Sequence, residues 1–247
     1  MSTSADLPRF TTLLFGLSGD LVDFGARTLP VALQRVCPDC PPERLANALT
    51  LPSDAALEHA LERYADERER ERLRDALEHA ARDHAEPTPG ALDVLQGLRE
   101  RGIPCAWLEE LPGATAQTLA THLGQQLAGG FTTDGRRWPA PDACWQALIQ
   151  LGSPRLDGCV LVSGQPRLLQ AGLNAGLWTI GLAASGPLCG LAPGDWDALD
   201  MPQRDRRRSQ ATLGLYRLGV HSVIDHLGEL DSCLQDIATR RLKGEKP

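Results

Sequence analysis

LLFGLSGDLVDFG, residues 13–25, decides how the rest of the chain is read. The apolar run Leu13-Leu14-Phe15 has the build of a buried strand, and a Gly/Ser turn follows it. Asp20, Asp23 and Gly25 come next, in the loop where an open α/β sheet places its ligands. In a phosphate-handling α/β enzyme a carboxylate belongs where the strand ends. Here that position is Gly16.

At 247 residues the chain can form one sizeable domain, or a core with a smaller insertion. With 42% apolar and 23% charged residues it has an ordinary globular composition. A net charge of -7 opposes electrostatic binding to nucleic acid or an anionic membrane. No apolar stretch approaches a membrane span, and MSTSADLPRF lacks the basic-then-apolar pattern of a secretory signal. A cytoplasmic protein is the expectation.

Seven cysteines, an odd number scattered along the chain, suggest no disulfide framework. Cys37-Pro-Asp-Cys40 lacks the second ligand pair that a structural zinc site needs. It reads as two loop cysteines. The six histidines form no metal motif, and the sequence carries no nucleophile elbow, Walker-type loop or dinucleotide fingerprint. Cys105 reads as a buried core thiol.

The organisation alternates. Strands are expected at 11–15, 103–108, 158–164 and 177–182, with helices at 28–36, 91–101, 114–127, 142–151 and 166–175 between them. Short apolar runs alternating with amphipathic helices indicate a parallel sheet covered on both faces. Residues 53–85 read as a helical block with Leu57, Leu61, Tyr64, Leu73, Leu77, Ala80 and His84 on one stripe. Ser53 and Asp54 suit its N-terminal cap, and ERERERLR (67–74) is a solvated face. That block follows the first strand, so it is expected to sit as a cap over the sheet's C-terminal edge, with its apolar stripe as a partner surface. The expected division is a core of residues 1–28 and 87–247 with a helical cap at 29–86.

GLSGDLVDFG (16–25) resembles, without a gap, the DWAGTTVDFG with which phosphonoacetaldehyde hydrolases of the haloacid dehalogenase (HAD) superfamily begin. The segments PGALDVLQGLRERGI, GRRWPAP, AGLWTIGL, SGPLCGL, LGVHSVIDHLGEL and RRLKGEKP lie in the order and spacing of similar family segments. The resemblance implies a HAD-like Rossmannoid α/β fold with a small helical cap, magnesium as the family cofactor, and dimerisation through the cap. A homodimer, or a heterodimer with a related protein, is therefore expected.

The chemistry departs from the family at each motif. The nucleophilic, magnesium-binding aspartate falls on Gly16, which has no side chain to attack phosphorus. The small hydroxyl donor of the second motif falls in WLEEL (107–111), where Trp107 replaces it and Glu109 and Glu110 add negative charge. The basic residue survives as Arg136, which with the N–H groups of Leu17 and Ser18 could hold an anion. The acidic pair that completes the magnesium site is replaced by Ser163 and Gly164. The family's Schiff-base lysine has no counterpart, since Lys243 and Lys246 in the tail are the only lysines.

These departures predict a folded pseudoenzyme with a binding, regulatory or assembly role, no bound metal and no cofactor. Two other readings are open. One is hydrolysis of phosphonoacetaldehyde or another phosphorylated small molecule with relocated acids: Asp20 as substitute nucleophile, with Glu109, Glu110 or Asp134. The other is a module that binds a small anion through Arg136. Asp20 also has a plain reading as a turn or capping residue, and Trp107 as a plug in the vacated pocket.

Overall fold

A computed structural model describes residues 7–133 and 136–247. Six parallel strands form one sheet in the order β3-β2-β1-β4-β5-β6. They are β1 (Thr12–Gly16), β2 (Cys105–Glu109), β3 (Gly129–Thr132), β4 (Cys159–Ser163), β5 (Trp178–Leu182) and β6 (Ser222–Ile224). The strand expected from Leu13-Leu14-Phe15 is central, flanked by β2 and β4.

Side-chain alternation sends the strands into two cores. Leu13, Phe15, Trp107, Val160, Val162 and Ile180 pack on one face. They meet helices α5 (Ala91–Glu100), α6 (Gly113–Leu119) and α11 (Leu230–Leu242), together with the cap. Leu14, Ala106, Leu108 and Leu161 pack on the other face against α7 (Asp142–Gln150) and α8 (Pro166–Asn174). Both faces are buried, which is why the strands are continuous apolar runs. Helices α9 (Pro193–Ala198) and α10 (Met201–Arg217) follow β5.

The cap is α1 (Thr28–Val36), α2 (Pro42–Ala48), α3 (Ser53–Leu61) and α4 (Glu67–His84), inserted between β1 and α5. Two of the expectations for it need correction. The 53–85 block is two helices, because Glu62 adopts a left-handed conformation at φ 57° and ends α3. Asp66 restarts the chain with a reciprocal capping box to Glu69, whereas Ser53 and Asp54 lie inside α3 behind Pro52. The apolar stripe is also not free for a partner. Leu57, Leu73, Leu77 and Ala80 are buried by the chain itself, whereas Tyr64, in the break between α3 and α4, is 86% exposed and off the stripe. Beyond the cap, the helix expected over 114–127 is shortened to α6, followed by a 3-10 segment at 120–126.

Candidate functional site

Beneath the cap, at the C-terminal ends of β1, β2 and β4, lies a cavity of about 180 Å³. Its floor includes Gly16, Ser18, Glu109 and Gln165, and the cap contributes Leu29, Leu49, Leu51 and Ser53. Glu110 and Arg167 form part of the wall.

Gly16 ends β1 with Asp20 folded back over it. A Cβ built on Gly16 would overlap Asp20 Oδ2 and lie 2.7 Å from Ser163 Oγ. The carboxyl of Asp20 thus occupies the space in which a residue-16 side chain would begin. Ser163 Oγ donates to Asp20 Oδ2 at 2.6 Å, and Gly164 N–H donates to Oδ1 at 2.5 Å. Asp20 exposes none of its surface. Burial pushes its carboxyl up to about 7 against the pull of those two donors, with the nearby Glu109 charge adding to the rise.

The capping role foreseen for Asp20 belongs to Asp23. Its carboxylate accepts Arg27 N–H at 2.9 Å and Thr28 N–H at 3.0 Å, and Ser18 Oγ donates to it at 2.8 Å. Burial raises this carboxyl too, to about 6.

At the end of β2 the residue that reaches the site is Glu109, not Trp107. Trp107 points into the core, where its ring fills the space beside Gly130, and it does not line the cavity. Glu109 Oε2 accepts Ser18 N–H at 3.0 Å, while Oε1 accepts the N–H groups of Glu110 at 2.7 Å and Leu111 at 3.2 Å. Desolvation lifts the Glu109 carboxyl to about 7 even with three donors favouring its charged form.

The arginine of the cavity is Arg167, which the sequence reading missed. It forms an ion pair with Glu110 and donates to the Trp138 carbonyl, and Trp138 N–H donates to Glu110 Oε1 at 2.7 Å. This network pins Trp138 to α8. Arg136 lies outside the cavity: its side chain is 81% exposed and pairs with Asp142 at 3.4 Å. The N–H of Ser18 that Arg136 was expected to assist is already bonded to Glu109. Asp134 falls outside the described residues.

Magnesium does not fit the residues present. Gly16 supplies no carboxylate, and both oxygens of Asp20 face hydrogen-bond donors. No carboxylate fits at 164 either, since a Cβ there would lie 2.6 Å from Gly186 Cα and 2.7 Å from Leu182 O. Among the described residues no three acids, histidines or cysteines gather as a metal site. The tail lysines are remote as well. Arg241 on α11 bonds the carbonyls of Pro8 and Arg9 at 3.1 Å, just ahead of β1. Lys243, two residues on, therefore lies at the edge of the sheet opposite the cavity.

No family model matches the chain. The phosphonoacetaldehyde hydrolase of Bordetella avium is 31% identical over 205 residues, covering 80% of this chain and 69% of that protein. The one from Bordetella pertussis is 32% identical over 170 residues, covering 67% of this chain. The match spans 62% of the Bordetella pertussis protein's length. A phosphonoacetaldehyde hydrolase-like protein from Oleispira antarctica superposes with a TM-score of 0.85 at 22% identity, over 100% of this chain and 99% of that one. By sequence identity the chain belongs to the phosphonoacetaldehyde hydrolase family, and its fold is HAD-like.

Proposed function

We propose that this chain is a non-hydrolytic member of its family, a folded pseudoenzyme that acts by holding a small molecule in the cavity beneath its cap. One observation carries this reading: the Asp20 carboxyl fills the space at Gly16 from which an attacking side chain would reach the cavity. A nucleophile must be exposed to its substrate, and Asp20 is not. The cavity itself persists, since Trp107 packs elsewhere, and that supports a ligand-binding role over a filled, purely structural site. A regulatory role, and a homodimer or a heterodimer with a related protein through the cap, belong to the same proposal. Such a contact would use the outer faces of α3 and α4.

A second reading is favoured by one feature. Asp20 and Glu109 stand beside the same cavity with carboxyls raised to about 7, a range suited to proton transfer at neutral pH. Against it, every oxygen of the two groups already accepts a hydrogen bond.

Purified protein assayed with phosphonoacetaldehyde and with a generic phosphatase substrate, each with and without magnesium, separates the two. No turnover above the buffer blank is expected. Turnover that D20A or E109A abolishes would replace the pseudoenzyme reading with relocated chemistry.

A further inference from the structure

Glu109 is a buried carboxylate held by backbone donors alone. Ser18 N–H comes from the loop after β1, and the N–H groups of Glu110 and Leu111 come from the loop after β2. Two separate loops aim three donors at one pair of oxygens. The charged side chains that act on it are acids: Glu110 beside it and Asp20 across the floor. Convergent backbone N–H groups of this kind form a concavity that suits a small oxyanion. Here the occupant is part of the chain.

We propose that Glu109 is an internal oxyanion: it closes the cavity to anionic ligands, phosphorylated ones included, and its removal uncovers a receptor for a small oxyanion. The inference rests on the non-hydrolytic reading. An anion entering the unmodified cavity finds the donors taken and meets the Glu109 carboxyl, with the buried Asp20 carboxyl behind it. Arg167, the one arginine on the wall, is neutralised by Glu110. The ligand admitted by the unmodified protein is therefore not an anion.

Replacing Glu109 with serine removes the carboxylate and leaves the donors facing the cavity. Inorganic phosphate is the probe, added to the unmodified protein and to E109S. The readouts are the melting temperature and the amide resonances of Ser18, Glu110 and Leu111. E109S is expected to bind phosphate at least about tenfold more tightly than the unmodified protein, with a melting temperature that rises with phosphate concentration. Those three amides should shift on addition. A folded E109S as indifferent to phosphate as the parent overturns the proposal.

Should E109S fail to fold, the unmodified protein provides the test. Its Ser18, Glu110 and Leu111 amide protons are expected to titrate together with one midpoint. The other groups facing Glu109 are Asp20, from the loop after β1, and Glu110, tied to Arg167 of α8. The titration is therefore repeated in D20N, where the shared midpoint should persist. Three amides that do not move together across the titration overturn the proposal. Neither readout depends on turnover, so a hydrolytic unmodified protein and an open Glu109 site are distinguishable results.

Discussion

Asp20 Oδ2 occupies the space that a Cβ on Gly16 would enter, so residues 16 and 20 compete for one volume. A carboxylate at 16 and a carboxylate at 20 cannot both be present in this packing.

That exclusion makes restoring an acid at the strand end costly. G16D is expected to lose about 2–4 kcal/mol of stability, from overpacking and a second charge beside a buried acid. D20A vacates the volume, so the double variant G16D/D20A should be more stable than the sum of the two single losses by at least about 1 kcal/mol. Urea unfolding of the four proteins checks this. Additive losses would show that the two sites do not share the space.

Asp20 also sets a pH dependence. Its carboxyl is raised in the fold from 3.8 to about 7, so between those values the folded protein holds a proton that the unfolded chain has released. The stability this contributes is complete at the acid end of the window and is lost as pH rises toward 7. Glu109, raised from 4.5 to about 7, acts in the same direction, as does Asp23, raised from 3.8 to about 6. The unfolding free energy is therefore expected to fall between pH 5 and pH 8. D20N removes one titrating group, so its fall over that interval should be smaller than the parent's by on the order of 1–3 kcal/mol. An unchanged slope in D20N would show that Asp20 does not titrate in that window.

The central strand was legible from Leu13-Leu14-Phe15, and the register of the following loop from VDFG, because both signals are local. The division of labour within that loop was not. Whether Asp20 or Asp23 caps α1 depends on how the turn folds back, and Asp23 adopts φ 57° there. Trp107 and Glu109 lie two apart on one strand and share a face, so the end of β2 decides which of them reaches the site. The signal for Glu109 was an acid closing an apolar run. A carboxylate at a strand end needs donors, and the neighbouring loops supply them. Arg167 was hidden because a residue thirty positions beyond the GRRWP loop returns to it only through the fold. Strands β3 and β6 are too short to show a period, and their edges are only half-buried.

Trp107 and Gly130 form a paired fit in the sheet. They face each other across β2 and β3, and a Cβ on Gly130 would overlap the Trp107 ring. G130A is expected to destabilise by about 1–3 kcal/mol through overpacking. G130A combined with W107L should recover part of that loss, because the smaller side chain frees the volume the new methyl needs. If G130A unfolds at the parent's denaturant midpoint, β3 has moved away from the ring without cost.

Arg167 and Glu110 act as a clamp on the chain around Trp138. The Glu110 side chain is 8% exposed and that of Arg167 is 23% exposed, so the pair is largely withdrawn from water. Removing one partner leaves the other charge without compensation, whereas removing both avoids that penalty. R167A is expected to cost about 1–3 kcal/mol, and E110M/R167M less than R167A alone. The loss should appear locally as well, since Trp138 donates its N–H to Glu110 and accepts from Arg167 through its carbonyl. Hydrogen exchange at the Trp138 amide should therefore accelerate in R167A by at least about tenfold relative to amides of β1. Equal protection in R167A and the parent would show that the residues around Trp138 are held by their own packing and that the ion pair merely lies beside them.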